Sequence, residues 1–222
     1  MRRGPLLAWM LMSALMMHAQ PGSAQPAGRA LLDAAERGDL AALRRALESG
    51  AAVDERDERG RTALLRATLS NRVDAARLLI DRGANVNAQD DQQDSPFLYA
   101  GAQGRIEILR ITLAAGADLR STNRYGGTAL IPAAHYGHVE VVRLLLTTAI
   151  NVNHVNRLGW TALLEAVILG DGGAAHLELV RLLLAHGADP SIADRQDATA
   201  LMHARQRGQR AVAELLERAA PR

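Results

Sequence analysis

Thr128-Ala129-Leu130-Ile131-Pro132-Ala133, followed by Gly137-His138-Val139-Glu140-Val141-Val142-Arg143-Leu144-Leu145-Leu146, is the stretch on which the fold turns. The first segment has relatives along the chain. Thr62-Ala63-Leu64-Leu65-Arg66-Ala67, Ser95-Pro96-Phe97-Leu98-Tyr99-Ala100, Thr161-Ala162-Leu163-Leu164-Glu165-Ala166 and Thr199-Ala200-Leu201-Met202-His203-Ala204 match it in type, with starts 33, 33, 33 and 38 residues apart. Nine residues after a start comes a turn residue, Asn71, Gly104, Gly137 or Gly208. A second stop follows at Gly83, Gly116 and Gly187. A fixed period of this length is the mark of a repeat architecture.

The physics of one unit follows from its residues. A Thr or Ser hydroxyl caps a short helix by accepting backbone N–H groups. Leu and Ala three apart give that helix a small apolar face, and a Gly or Asn in the left-handed region ends it. A second helix carries an apolar stripe such as Val139, Val142, Leu144 and Leu145. The Asn-rich segment after it, Ala84 to Asp90, suits a turn or hairpin. One unit cannot cover its own apolar side, so stability comes from stacking on its neighbours.

This pattern resembles the ankyrin repeat, through Gly-x-Thr-Ala-Leu-x-x-Ala, Gly137 to Leu146, and Gly83-Ala84-Asn85-Val86-Asn87. The resemblance covers residues 29–222. It implies an all-α solenoid of about six helix-turn-helix units with projecting β-turn or hairpin loops, capped at both ends. The expected units are 29–59, 60–92, 93–125, 126–158, 159–196 and 197–222. Three departures stand out. Pro132 removes one helical hydrogen bond. Ala149 replaces a stop glycine, which predicts a weak junction. Five extra residues near Gly170-Asp171-Gly172-Gly173-Ala174 predict a longer turn inside unit five.

Residues 1–24 are built differently. Arg2 and Arg3 precede an apolar run from Leu6 to Met17, and Ser23-Ala24 supplies a small-residue cleavage site. That order predicts a cleaved export signal, with Gln25 to Gly28 as a flexible lead-in, and a periplasmic product in a two-membrane bacterium. The apolar run is too short to span a bilayer core of about 30 Å.

Composition narrows the function. With no Cys, thiolate metal sites, disulfides and cysteine nucleophiles are excluded. All 26 basic side chains are Arg. Without Lys there is neither a standard phosphate loop nor a Schiff-base lysine. Removing Arg2 and Arg3 leaves 24 basic against 24 acidic residues, which disfavours nucleic acid as a partner. His135, His138 and Glu140 approach metal-ligand spacing, but Gly137 breaks the helix between them. Asp90, Asp91 and Asp94 lack calcium-loop spacing and read as a solvated turn. No catalytic residue, metal or cofactor is expected, and the chain is read as a non-enzymatic monomer.

By resemblance, ankyrin proteins bind through hairpin tips and the exposed side of the first helices. In unit three those places hold Asp91, Gln92, Asp94, Ala102 and Gln103. In units four and five they hold Arg124, Tyr125, His135, Tyr136, Arg157, Leu158, Trp160, Ile168 and Leu169, the expected protein-binding site. Three of the five aromatic residues beyond the export segment fall here, beside two Arg, and these are the residue types enriched at binding hot spots. Packing between repeats is the competing use of the same side chains, and Phe97 and Tyr99 sit in core-like places. The leading expectation is a module that binds another protein. A small-molecule or cofactor carrier and an immunity or protective factor for a specific enzyme are the alternatives.

Overall fold

A computed structural model describes residues 26–219. The export segment expected at 1–24 lies outside the described residues. Among the described residues twelve helices follow one another in pairs: α1 (Pro26–Arg37) and α2 (Leu40–Glu48), α3 (Ala63–Leu69) and α4 (Val73–Asp81), α5 (Pro96–Ala102) and α6 (Ile106–Ala114), α7 (Leu130–His135) and α8 (Val139–Leu146), α9 (Ala162–Ile168) and α10 (Ala174–Ala185), α11 (Ala200–Gln206) and α12 (Arg210–Ala219). The first helices of the pairs stack in one layer and the second helices in another. Six or seven residues are too few for a helix to persist alone in water. Burial between layers holds them, through one continuous core running from Leu31 to Leu216.

The caps act as the residues dictate in four units. Thr62, Ser95, Thr161 and Thr199 each accept the backbone N–H three residues on. Unit four is the exception. In the other units the cap residue's carbonyl takes the N–H of Arg66, Tyr99, Glu165 or His203. Pro132 occupies that place in unit four and has no N–H to give. The Thr128 carbonyl takes the Ile131 N–H instead, α7 shortens to six residues, and the buried Thr128 hydroxyl has no partner.

Between the pairs the chain forms compact loops, not extended hairpins; two isolated bridges, Arg56 to Thr62 and Ala193 to Thr199, are the strand-like pairings among the described residues. An Asx residue recurs in each loop. Asp57, Asp90, Asn123, Asn156 and Asp194 each accept, through the side chain, the N–H groups two and four residues ahead. The third residue after each takes positive φ, and it is Gly60, Gln93, Gly126, Gly159 or Asp197.

Two sequence expectations change, and the end of α8 at Ala149 takes its own form. Residues 26–28 are helical, because Pro26 opens α1 with a preset φ. Gly28 is buried there, and Glu55 would stand 2.6 Å from any Cβ added to it. The unit-five insertion goes largely into helix: α10 has 12 residues where α4 and α6 have 9. At Ala149, the Thr147 and Thr148 hydroxyls donate to the Leu144 and Leu145 carbonyls, so α8 ends on side chains without a left-handed residue.

Candidate functional site

The stack brings one groove of about 390 Å³ to the face formed by first helices and loop tips. Of the nine expected contact residues, Arg124, Tyr125, His135, Tyr136, Leu158, Trp160 and Leu169 line it; Arg157 and Ile168 do not. Tyr125 is 51% exposed and Tyr136 55%, so neither is a core residue. Trp160 and Ile168 are half-buried and pack partly against the core. Exposure and packing thus divide the set residue by residue. Arg157 serves the scaffold: its N–H donates to the Tyr125 carbonyl and its guanidinium to the Arg124 carbonyl.

The walls are ordered by stacking. The His135 and Tyr136 rings lie 4.2 Å apart and nearly parallel. The Arg124 guanidinium sits 4.7 Å over the Tyr125 ring, a cation–π contact. Arg124 also reaches Asp94 at 3.9 Å across the groove. Burial and the neighbouring Asp90 hold the Asp94 carboxyl above its ordinary range.

The floor holds a residue missing from the sequence-based set. Glu165, on α9, is a carboxylate with a side chain only 9% exposed. Burial pushes it up to about 7. Asn156 Nδ2 donates to its Oε1 at 2.9 Å, and Asn156 Oδ1 accepts the Leu158 and Trp160 N–H groups, so one amide ties the loop tip to the floor. His135 Nδ1 stands 3.8 Å from Glu165 Oε2. Burial and the nearby His176 hold His135 below the usual imidazole value. Both partners are driven toward their neutral forms, so this contact is not a strong ion pair. His176 Nε2 donates to the His135 carbonyl at 2.9 Å, fastening the insertion of unit five to the groove wall.

Tyr99, read from the sequence as core-like, is half-buried and also lines the groove, whereas Phe97 is fully buried. A signal for Glu165 existed. The same register position holds Asp33, Arg66, Tyr99, Pro132 and His203 in the other units. Within the stack a carboxylate at this position meets burial, whereas Asp33 in the end unit keeps a side chain 44% exposed. Among the described residues no three His, Asp or Glu gather as metal ligands, and no helix is long and apolar enough to cross a membrane. The groove offers aromatic walls over a weakly ionised acid, an arrangement for holding a group in place.

Family models for ankyrin repeats match residues 97–194, and 31–80, 69–111 and 172–217. The chain belongs to the ankyrin-repeat family, whose domains are generally protein–protein interaction modules. No curated protein matches it. Among solved structures it is similar to an ankyrin repeat domain from Acinetobacter baumannii, at 56% identity over 85% of this chain and 96% of that one, with a TM-score of 0.83. An ankyrin repeat protein, EF0377, shares 44% identity over 86% and 97% of the two chains, with a TM-score of 0.82. A chain from a complex of a predatory endopeptidase of Bdellovibrio bacteriovorus with an immunity protein shares the fold at 23% identity, covering 86% and 97%, with a TM-score of 0.75.

Proposed function

We propose that this chain is an exported, non-enzymatic module that grips a partner protein across units four and five. The observation that carries the reading is convergence. Seven residues chosen from their repeat positions line one groove, and Tyr125, Tyr136, Leu158 and Leu169 keep large exposed surfaces there. Aromatic and Arg side chains around a concave, half-buried Trp match the composition of binding hot spots. Export rests on the Arg2-Arg3 pair, the Leu6 to Met17 run and the small residues ending at Ala24. A protective role toward a specific enzyme is one form of this reading.

The test is a capture experiment in extracts of the source cell. The unaltered chain is compared with a Tyr136→Ala, Leu158→Ala double variant that melts at the same temperature. A protein retained by the first and lost by the second is the partner; an identical retained set rejects the site. Sequencing the secreted form should give a start at Gln25.

A groove of about 390 Å³ also falls within the size range of small-molecule sites, which favours a carrier as the second reading. A ligand that raises the melting temperature only when the groove is unaltered would support it.

A further inference from the structure

We propose that the groove is a receptor for a lysine side chain of the partner protein, its ammonium held at Glu165 Oε2 and its stem lying along Tyr99, Tyr136 and Trp160. The proposal rests on the protein-binding reading above and names what that site selects.

Glu165 is nine-tenths buried, lines the groove, and has one oxygen committed to Asn156. Oε2 accepts no hydrogen bond from the described residues; its polar neighbour is His135 Nδ1 at 3.8 Å, on a ring held toward its neutral form. Unlike the buried Thr128 hydroxyl, Oε2 keeps a path to the groove, so an incoming donor can reach a carboxylate that the surrounding burial leaves poorly solvated. Charge points the same way. Asp94 and Arg124 face each other at 3.9 Å and offset one another, which leaves Glu165 as the uncompensated charge of the groove when ionised. Aromatic rings around a single anion favour a cation with an apolar stem.

The type of cation follows from the number of free acceptors. One free oxygen suits a compact ammonium, which binds as a point charge. A guanidinium fork binds best to both carboxylate oxygens side by side, and Oε1 is already turned to Asn156; an ammonium needs one close contact and can keep its other N–H groups toward water. The chain itself contains no Lys, so neither its own surface nor a second copy supplies that side chain. The occupant comes from a different protein.

The full chain carrying Trp9→Phe makes Trp160 the single tryptophan, so its fluorescence reports the groove. At pH 8 it is titrated with the blocked peptide acetyl-Leu-Lys-Leu-amide and with versions bearing norleucine or arginine at the centre. The expected result is lysine at least tenfold tighter than norleucine, with arginine in between. Glu165→Gln, which preserves the acceptor for Asn156, should bring lysine to the norleucine level. Equal binding of lysine and norleucine, arginine as the tightest ligand, or an undiminished lysine preference in the Gln variant overturns the assignment. If the Gln variant melts early, the norleucine comparison on the otherwise native chain decides alone. Failure of this inference is separable from failure of the binding reading: a partner lost with Tyr136→Ala, Leu158→Ala but unaffected by Glu165→Gln rejects only the lysine site.

Discussion

The two ends of one ladder behave alike, and its middle does not. In units one and two, the register position on the first helices holds Asp33 and Arg66. Arg66 bonds Asp33 at 3.2 Å and also pairs with Glu36. In unit six the same position holds His203, fastened to Asp194 at 2.7 Å. Between them, Pro132 offers no donor and Glu165 keeps a free oxygen against the groove. The scaffold is constant; what changes is whether a polar group meets its partner inside the stack. Where the ladder closes, charge serves the fold. Where it opens, a carboxylate oxygen faces the groove without a protein donor.

The largest effect should separate core from groove. Phe97 is fully buried at the junction of the two regions, so Phe97→Ala should cost about 3–5 kcal/mol in denaturant unfolding. Tyr136→Ala, on an exposed ring, should stay within about 0.5 kcal/mol. Equal losses would mean the groove is core after all.

Next comes acidity. Folding raises Glu165 from 4.5 to about 7, so the folded state favours the protonated acid. Its stabilising contribution is complete below about pH 4.5 and disappears as pH rises through about 7, a swing of about 3 kcal/mol at most. Melting curves between pH 4.5 and 8 should therefore fall more steeply for the native chain than for Glu165→Gln. Parallel curves would place Glu165 in water.

The caps give a smaller contrast. Thr161→Ala should cost about 1 kcal/mol, since that hydroxyl accepts the Leu164 N–H. Thr128→Val should be neutral or stabilising, because the buried Thr128 hydroxyl has no partner. Unfolding midpoints check both, and a loss at Thr128 equal to that at Thr161 would contradict the altered start of α7.

The smallest effect belongs to the closed end. Arg66→Met should shift stability by about 1 kcal/mol or less, because Asp33 and Glu36 remain near water once released. A loss several times larger would make the closed ladder a structural pillar.

Much of this was legible from residue types. The Thr and Ser caps, the apolar stripes and the turn glycines each act within a few residues of themselves. The 33-residue period then dictates that the units stack. The groove was legible in outline for the same reason: positions at constant phase in successive units become neighbours in space, which brought Tyr125, Tyr136, Leu158 and Trp160 together. The insertion enters α10 and not only the turn, and counting residues between Glu165 and Leu179 cannot tell a longer helix from a longer loop. The Asx position of the loops repeats with the period too, but it mixes Asp with Asn, so no single residue type marks it in the sequence.

The order of letters determined, on its own, that short amphipathic helices must lean on copies of themselves. Local hydrogen bonding and the need to cover apolar surface decide that, and both are written at short range. Only the tertiary arrangement decided that Glu165 shares the groove with Trp160 and Tyr136 and keeps one oxygen without a protein donor, that burial draws the nearby His135 toward its neutral form, and that Arg157 braces the scaffold. Those outcomes depend on burial and on partners brought from 30 or more residues away, and a carboxylate's behaviour is set by what surrounds it, not by its place in the chain.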